Sequence, residues 1–169
     1  MAENRAENRA ENETSPTCEL CNKLIEQVKQ GKININTHRV FTSYGYSSIL
    51  EYVLTYCPKL SYINFLFDHG SILFEAFPYI TGILRIKELE NLAKLGIKNS
   101  GDVGKYIIKL LRLFIKKGVE MTPYYNRSST TNNFIFLYIN LYMNHVVKST
   151  MDSLISIQDA KEIIQIIIN

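Results

Sequence analysis

Residues 44–70 read YGYSSILEYVLTYCPKLSYINFLFDHG, and the punctuation of this stretch decides the expected fold. A serine side chain at 47 or 48 can accept a hydrogen bond from a first-turn amide and so start a helix. Ile49, Leu50, Val53 and Leu54 then recur at helical spacing. Pro58 has no backbone N–H to donate and interrupts the run. A second apolar series, Leu60, Ile63, Phe65, Leu66 and Phe67, stops at Gly70, the residue type that most easily takes the left-handed conformation of a helix end. The stretch therefore predicts a helix, a turn, a second helix, a glycine and a loop, with Gly45 and Ser47 marking where the unit begins.

The same ending occurs on both sides. LIEQVKQ precedes Gly31, INFLFDH precedes Gly70 and LRLFIKK precedes Gly118. The seventh residue before each glycine is Leu24, Ile63 and Leu111, and the third before is Val28, Phe67 and Ile115. These glycines lie 39 and 48 residues apart, a loose period of the size expected for a helical array with insertions. Ser15 and Pro16 read as an N-cap and a first helical residue, with Leu20, Leu24, Ile25 and Val28 as the apolar face. KININTHRVFTSYG follows as a polar extended connection. Further helices are expected across Ile86–Leu95, Ile107–Ile115, 134–147 and the final DAKEIIQIIIN. Units fall near 16–43, 44–80, 81–130 and 131–169. Residues 1–15 open with AENRAENRAENE, which has no apolar face, so a disordered tail is expected there.

Composition narrows the chemistry. Hydrophobic residues at 46% and charged residues at 21% fit a chain that buries a core. The net charge is +3, far below the concentrated basic charge of a nucleic-acid binder. Lys109, Arg112, Lys116 and Lys117 read as the wet side of an amphipathic helix. No secretory signal opens the sequence. FIFLYINLYM at 134–143 is too short to span a membrane. Three cysteines, an odd count, give no disulfide framework, and the chain reads as intracellular.

No catalytic set is visible. Cys18 and Cys21 have metal-ligand spacing, but zinc needs two more ligands, and only Cys57, His38, His69 and His145 remain as Cys or His candidates. They are expected to be ordinary helix cysteines. Adjacent helical residues Asp68 and His69 point apart and have no nucleophile beside them. Gly101-Asp-Val-Gly104 lacks the Lys-Ser/Thr of a phosphate loop. The expectation is a protein with no cofactor, no metal and no enzymatic activity.

Gly45-Tyr46-Ser47-Ser48-Ile49-Leu50 resembles the opening of an ankyrin repeat, and Ile63-Asn64-Phe65-Leu66-Phe67-Asp68-His69-Gly70 resembles its closing helix. Ser48 stands where that repeat has proline, and Leu50 where it has histidine. With its long loops and Ile-, Asn- and Tyr-rich helices, the chain is similar to the poxvirus ankyrin-repeat host-range proteins over residues 20–169. That resemblance implies an all-α, ankyrin-repeat-like stack of helix-turn-helix units with long loops. It implies non-catalytic binding of a host protein in the host cell cytoplasm, with no nucleic acid or membrane involved. Binding would use the loops: Asn36, Thr37, His38 and Arg39 as one finger, and Tyr124, Tyr125 and Arg127 as another. The F-box-like segment that many relatives carry at their C-terminus has no counterpart here. The Ile-rich final helix lacks the polar face of a solenoid end, which suggests contact with a partner or a truncated member of the family. Two alternatives remain open. One is a viral Bcl-2-like helical bundle modulating apoptosis or NF-kappa-B signalling. The other is a non-functional fragment of a longer ankyrin protein.

Overall fold

A computed structural model describes residues 16–43, 45–74, 76, 79, 97, 100–121, 146–148, 150–151 and 155–168. In chain order it holds α1 (Pro16–Lys29), β1 (Arg39–Thr42), β2 (Gly45–Ser48), α2 (Ile49–Tyr56) and α3 (Leu60–Asp68). A 3-10 turn (Ser100–Asp102) then leads into α4 (Val103–Lys116), and α5 (Ile157–Ile168) follows.

The fold is mixed, and this corrects the all-α ankyrin-like stack expected from the sequence. The connection after Gly31 is not simply an extended loop. It folds into an antiparallel two-stranded sheet, with Arg39 opposite Ser48, Val40 opposite Ser47, Phe41 opposite Tyr46 and Thr42 opposite Gly45. Val40, Phe41 and Thr42 are β-branched or aromatic, the types that suit a pleated, half-buried surface. Val40 and Thr42 turn inward while Arg39 and Phe41 face out, as the two-residue period of a strand requires.

The strand β2 also changes the role of the residues that open the unit. Gly45 sits at φ +115° at the start of β2. Ser47 is a strand residue paired with Val40 and not a helix cap. The cap is Ser48, whose Oγ accepts the Glu51 N–H at 3.2 Å while Glu51 Oε2 accepts the Ser48 N–H at 2.7 Å. This reciprocal box satisfies two amides that the first turn of α2 would otherwise leave open. Ser48→Ala is expected to lower unfolding free energy by about 1 kcal/mol, read as a shifted midpoint in urea denaturation.

Three helices end alike. Gly31, Gly70 and Gly118 have φ of +66°, +90° and +69°. In each case the glycine N–H bonds three residues back, to Val28, Phe67 and Ile115, and the next N–H bonds five residues back, to Gln27, Leu66 and Phe114. That pair of hydrogen bonds closes the last carbonyls of a helix and needs the glycine in a left-handed conformation.

The spacing of these glycines is also the register between the helices. Cys18 meets Cys57 just before α3 and Asn22 Oδ1 accepts the Tyr62 hydroxyl, offsets of 39 and 40, while Lys29 Nζ lies over the Phe65 ring further along, so α1 and α3 run parallel. Tyr106 donates to the Pro58 carbonyl near one end of α3, and Lys117 Nζ donates to Asp68 Oδ1 at the other, offsets of 48 and 49. α3 and α4 are therefore also parallel, with Phe67 and Phe114 meeting edge to face at 6.1 Å. The loops leaving α3 and α4 join, since Glu120 N–H bonds the Phe74 carbonyl and Ala76 N–H bonds the Glu120 carbonyl. α5 packs on the other side of α4, with Ile163 and Ala160 buried and Arg112 Nη2 at 2.6 Å from Glu162 Oε1.

The core gathers Leu24, Ile25, Ile49, Leu50, Val53, Ile63, Leu66, Ile107, Leu111 and Phe114. Two sequence assignments fail here. Leu20 is exposed, and its expected place on the α1 face is taken by Cys18 and Cys21, both buried. Ile115, matched to Val28 and Phe67 by position, is half exposed. α4 keeps Lys105, Lys109, Arg112 and Lys116 at the surface, so it is not the helix buried on all sides that a groove-binding bundle has at its centre.

Candidate functional site

The loop between α1 and β1 is held by its own short-range bonds. Asn34 Oδ1 accepts the N–H groups of Asn36 and Thr37 at 2.9 and 3.3 Å, and its carbonyl accepts the His38 N–H at 2.9 Å. This is the turn that an Asn side chain makes by imitating backbone. Arg39 Nη1 reaches back to the Asn36 carbonyl at 2.9 Å. Asn36, Thr37 and Arg39 are exposed and His38 is half buried. The structure thus brings these four residues together as one ordered loop leading directly into β1. The amide nitrogen of Asn36 lies against Gly70, 4.0 Å from where a Cβ would stand.

Beside them is a pair that the sequence reading did not single out. Phe41 is 73% exposed and Tyr46 75% exposed, and their rings meet edge to face at 5.3 Å. They stand directly opposite each other in the strand register, so both project from the same outward face of the hairpin. The available signal was the alternation Arg39-Val40-Phe41-Thr42, which places Phe41 on the opposite side from Val40 once a strand is assumed. A second exposed apolar pair, Ile72 and Phe74, follows Gly70. It borders a hollow of about 280 Å³ lined in part by Phe67, Lys117 and Glu120.

The second candidate finger and the residues set aside in the sequence are placed as follows. Tyr124, Tyr125 and Arg127 lie outside the described residues. Asp68 and His69 do not form a dyad: Asp68 accepts from Lys117 and Asn64, while His69 Nδ1 faces the Phe65 carbonyl at 2.8 Å. The Lys117 ammonium holds the Asp68 carboxyl below its ordinary value of 3.8. Within the basic series of α4, Arg112 and Lys117 are each paired with a carboxylate, which weakens the series as a phosphate-binding stripe. The Ile-rich α5 turns much of its apolar surface inward. Ile163 is fully buried, Ile164, Ile166 and Ile167 pack partly against the core, and Ile157 is exposed.

Cys18 and Cys21 converge with Cys57 in the interior, where none of the three is joined in a disulfide. Cys18 Sγ lies 2.7 Å from Cys57 Sγ. A hydrogen bond between Cys57 and Cys21, together with burial, pushes the Cys57 thiol well above its usual range. No group of His, Cys, Asp or Glu among the described residues is arranged to hold a metal ion. Nor is any helix among them long and apolar enough to cross a membrane.

Comparison with protein-family models, with curated proteins and with solved structures finds no match to this chain.

Proposed function

We propose that the chain is a non-catalytic protein-binding module whose contact surface is the loop and hairpin of residues 36–48. The Phe41–Tyr46 pair carries this reading. Two large rings held outward by a hairpin expose apolar area that the fold itself does not cover, and aromatic residues beside an arginine are the types that concentrate binding energy at interfaces. The Asn34 turn, the strand register and the Ser48 cap hold the segment on both sides. Little conformational freedom then remains to be lost when a partner covers it. Arg39 lies on the same face as Phe41, so the partner surface that fits is an apolar pocket with an acidic rim.

The likeness of the helix-forming segments to those of poxvirus host-range proteins supports a host protein as the partner and the host cell cytoplasm as the place. Pairing of Arg112 and Lys117 with carboxylates supports a protein partner over nucleic acid.

A photo-crosslinking amino acid at Tyr46, in the full chain expressed in host cells, is expected to join one host protein. The same group at Lys161, exposed on α5, is expected not to. The double variant Phe41→Ala/Tyr46→Ala should weaken binding of that protein by roughly thirtyfold or more, since a hot spot is worth about 2 kcal/mol or more. Its thermal midpoint should stay that of the wild type. Equal labelling from both positions, or undiminished binding by the double variant, would remove the hairpin from the interface.

A further inference from the structure

The three buried thiols take no part in the binding surface. Cys18 stands in the first turn of α1, Cys21 one turn later on the same face, and Cys57 caps the end of α2. Chain segments 39 residues apart thus deliver two sulfurs to a separation of 2.7 Å. A disulfide bond is about 2.05 Å long, so closing one here needs only a small approach of the two sulfurs. The surrounding core, with Leu24, Ile25, Val53 and Ile63 buried, already holds the two backbones in place.

We propose that Cys18 and Cys57 are a redox-sensitive pair, closed to a disulfide by a peroxide and reopened by thiol reductants, with Cys21 as the third thiol left beside it. The balance is simple. Cys18, the one of the three that retains slight exposure, attacks hydrogen peroxide; one oxygen is transferred to sulfur and one water leaves, giving a sulfenic acid. Cys57 sulfur then attacks Cys18 sulfur, its thiol proton leaves with the displaced hydroxyl as a second water, and the S–S bond forms. Two thiols are oxidised and one peroxide is reduced to two waters. Its residual exposure, against none for Cys21 and Cys57, assigns the first step to Cys18. Cys57, fully buried beside it, is the resolving thiol.

Closing this bond ties the start of α1 to the elbow between α2 and α3. It constrains a long loop of the unfolded chain, the case in which a crosslink stabilises most. It also fixes the helix from which the 36–48 segment emerges, so oxidation would set how firmly the binding hairpin is anchored.

The test uses the full-length chain, reduced, freed of reductant and treated with hydrogen peroxide while folded. Alkylation in denaturant followed by peptide mapping is expected to find free thiols reduced from three to one, with a Cys18–Cys57 linked peptide and Cys21 alkylated. The thermal midpoint should rise on oxidation and return with dithiothreitol. Cys21→Ala should still form the link. Three free thiols after treatment, a Cys18–Cys21 link in the wild type, or sulfinic acid on Cys18 without a crosslink would overturn the proposal. The wild-type map decides the matter even where a cysteine variant fails to fold.

Discussion

Phe114→Ala is expected to lower the unfolding free energy by about 3–5 kcal/mol, the range for removing a fully buried aromatic ring from a core. The ring is wholly buried and meets Phe67 edge to face. The residue's carbonyl also accepts the Val119 N–H that closes α4 at Gly118. One substitution therefore opens the seam between two parallel helices at the end where their loops join through Glu120. A domain is typically stable by about 5–15 kcal/mol, so the loss is a large share of the total. It should appear as a fall of roughly 6–20 °C in the calorimetric midpoint. A loss no larger than that of a surface substitution would mean that α3 and α4 do not meet there.

Gly104→Val is expected to cost about 1–3 kcal/mol by overpacking, concentrated at the contact of α4 with α5. A Cβ at Gly104 would stand 2.6 Å from Asp159 Cβ and 2.9 Å from Asp159 Cγ, separations that atoms do not hold. Asp159 is fixed by the cap of α5, where its N–H bonds Ser156 Oγ at 3.0 Å, so relief requires the helix itself to move. The Arg112–Glu162 pair would part with it. Gly101→Val is the control, because nothing lies within 4 Å of its Cβ position. Hydrogen exchange should show the α5 amides deprotected in Gly104→Val and protected in Gly101→Val.

What the sequence disclosed depended on the kind of signal. The glycines at 31, 70 and 118 are legible because a left-handed helix end accepts few other residues, and their spacing turned out to be the register between helices. The hairpin was not legible. Each strand is four residues long, the inward residues include only Val40 and Thr42, and Gly45-Tyr46-Ser47-Ser48 carries a helix cap at its end that draws attention to α2. The α1 face was misread for a related reason. At about 100° per residue, Leu20 is turned roughly 100° from the centre of the stripe formed by Cys18, Cys21, Leu24 and Ile25, so angle outweighs hydrophobicity. The loop Asn36–Arg39 was legible in the sequence as a polar connection. Phe41 and Tyr46 were not, because their exposure follows from strand pairing and not from any local motif.

The mixed fold and the proposed binding surface both depend on residues 39–48 forming a hairpin that carries two aromatic rings outward as a pair. Nuclear Overhauser spectroscopy of the free protein tests this directly. Cross-strand contacts between Phe41 and Tyr46, backbone and ring, are expected, together with those of Val40 with Ser47. Sequential helical contacts through this segment, or no contact between the two strands, would contradict both the mixed fold and the binding surface built on it.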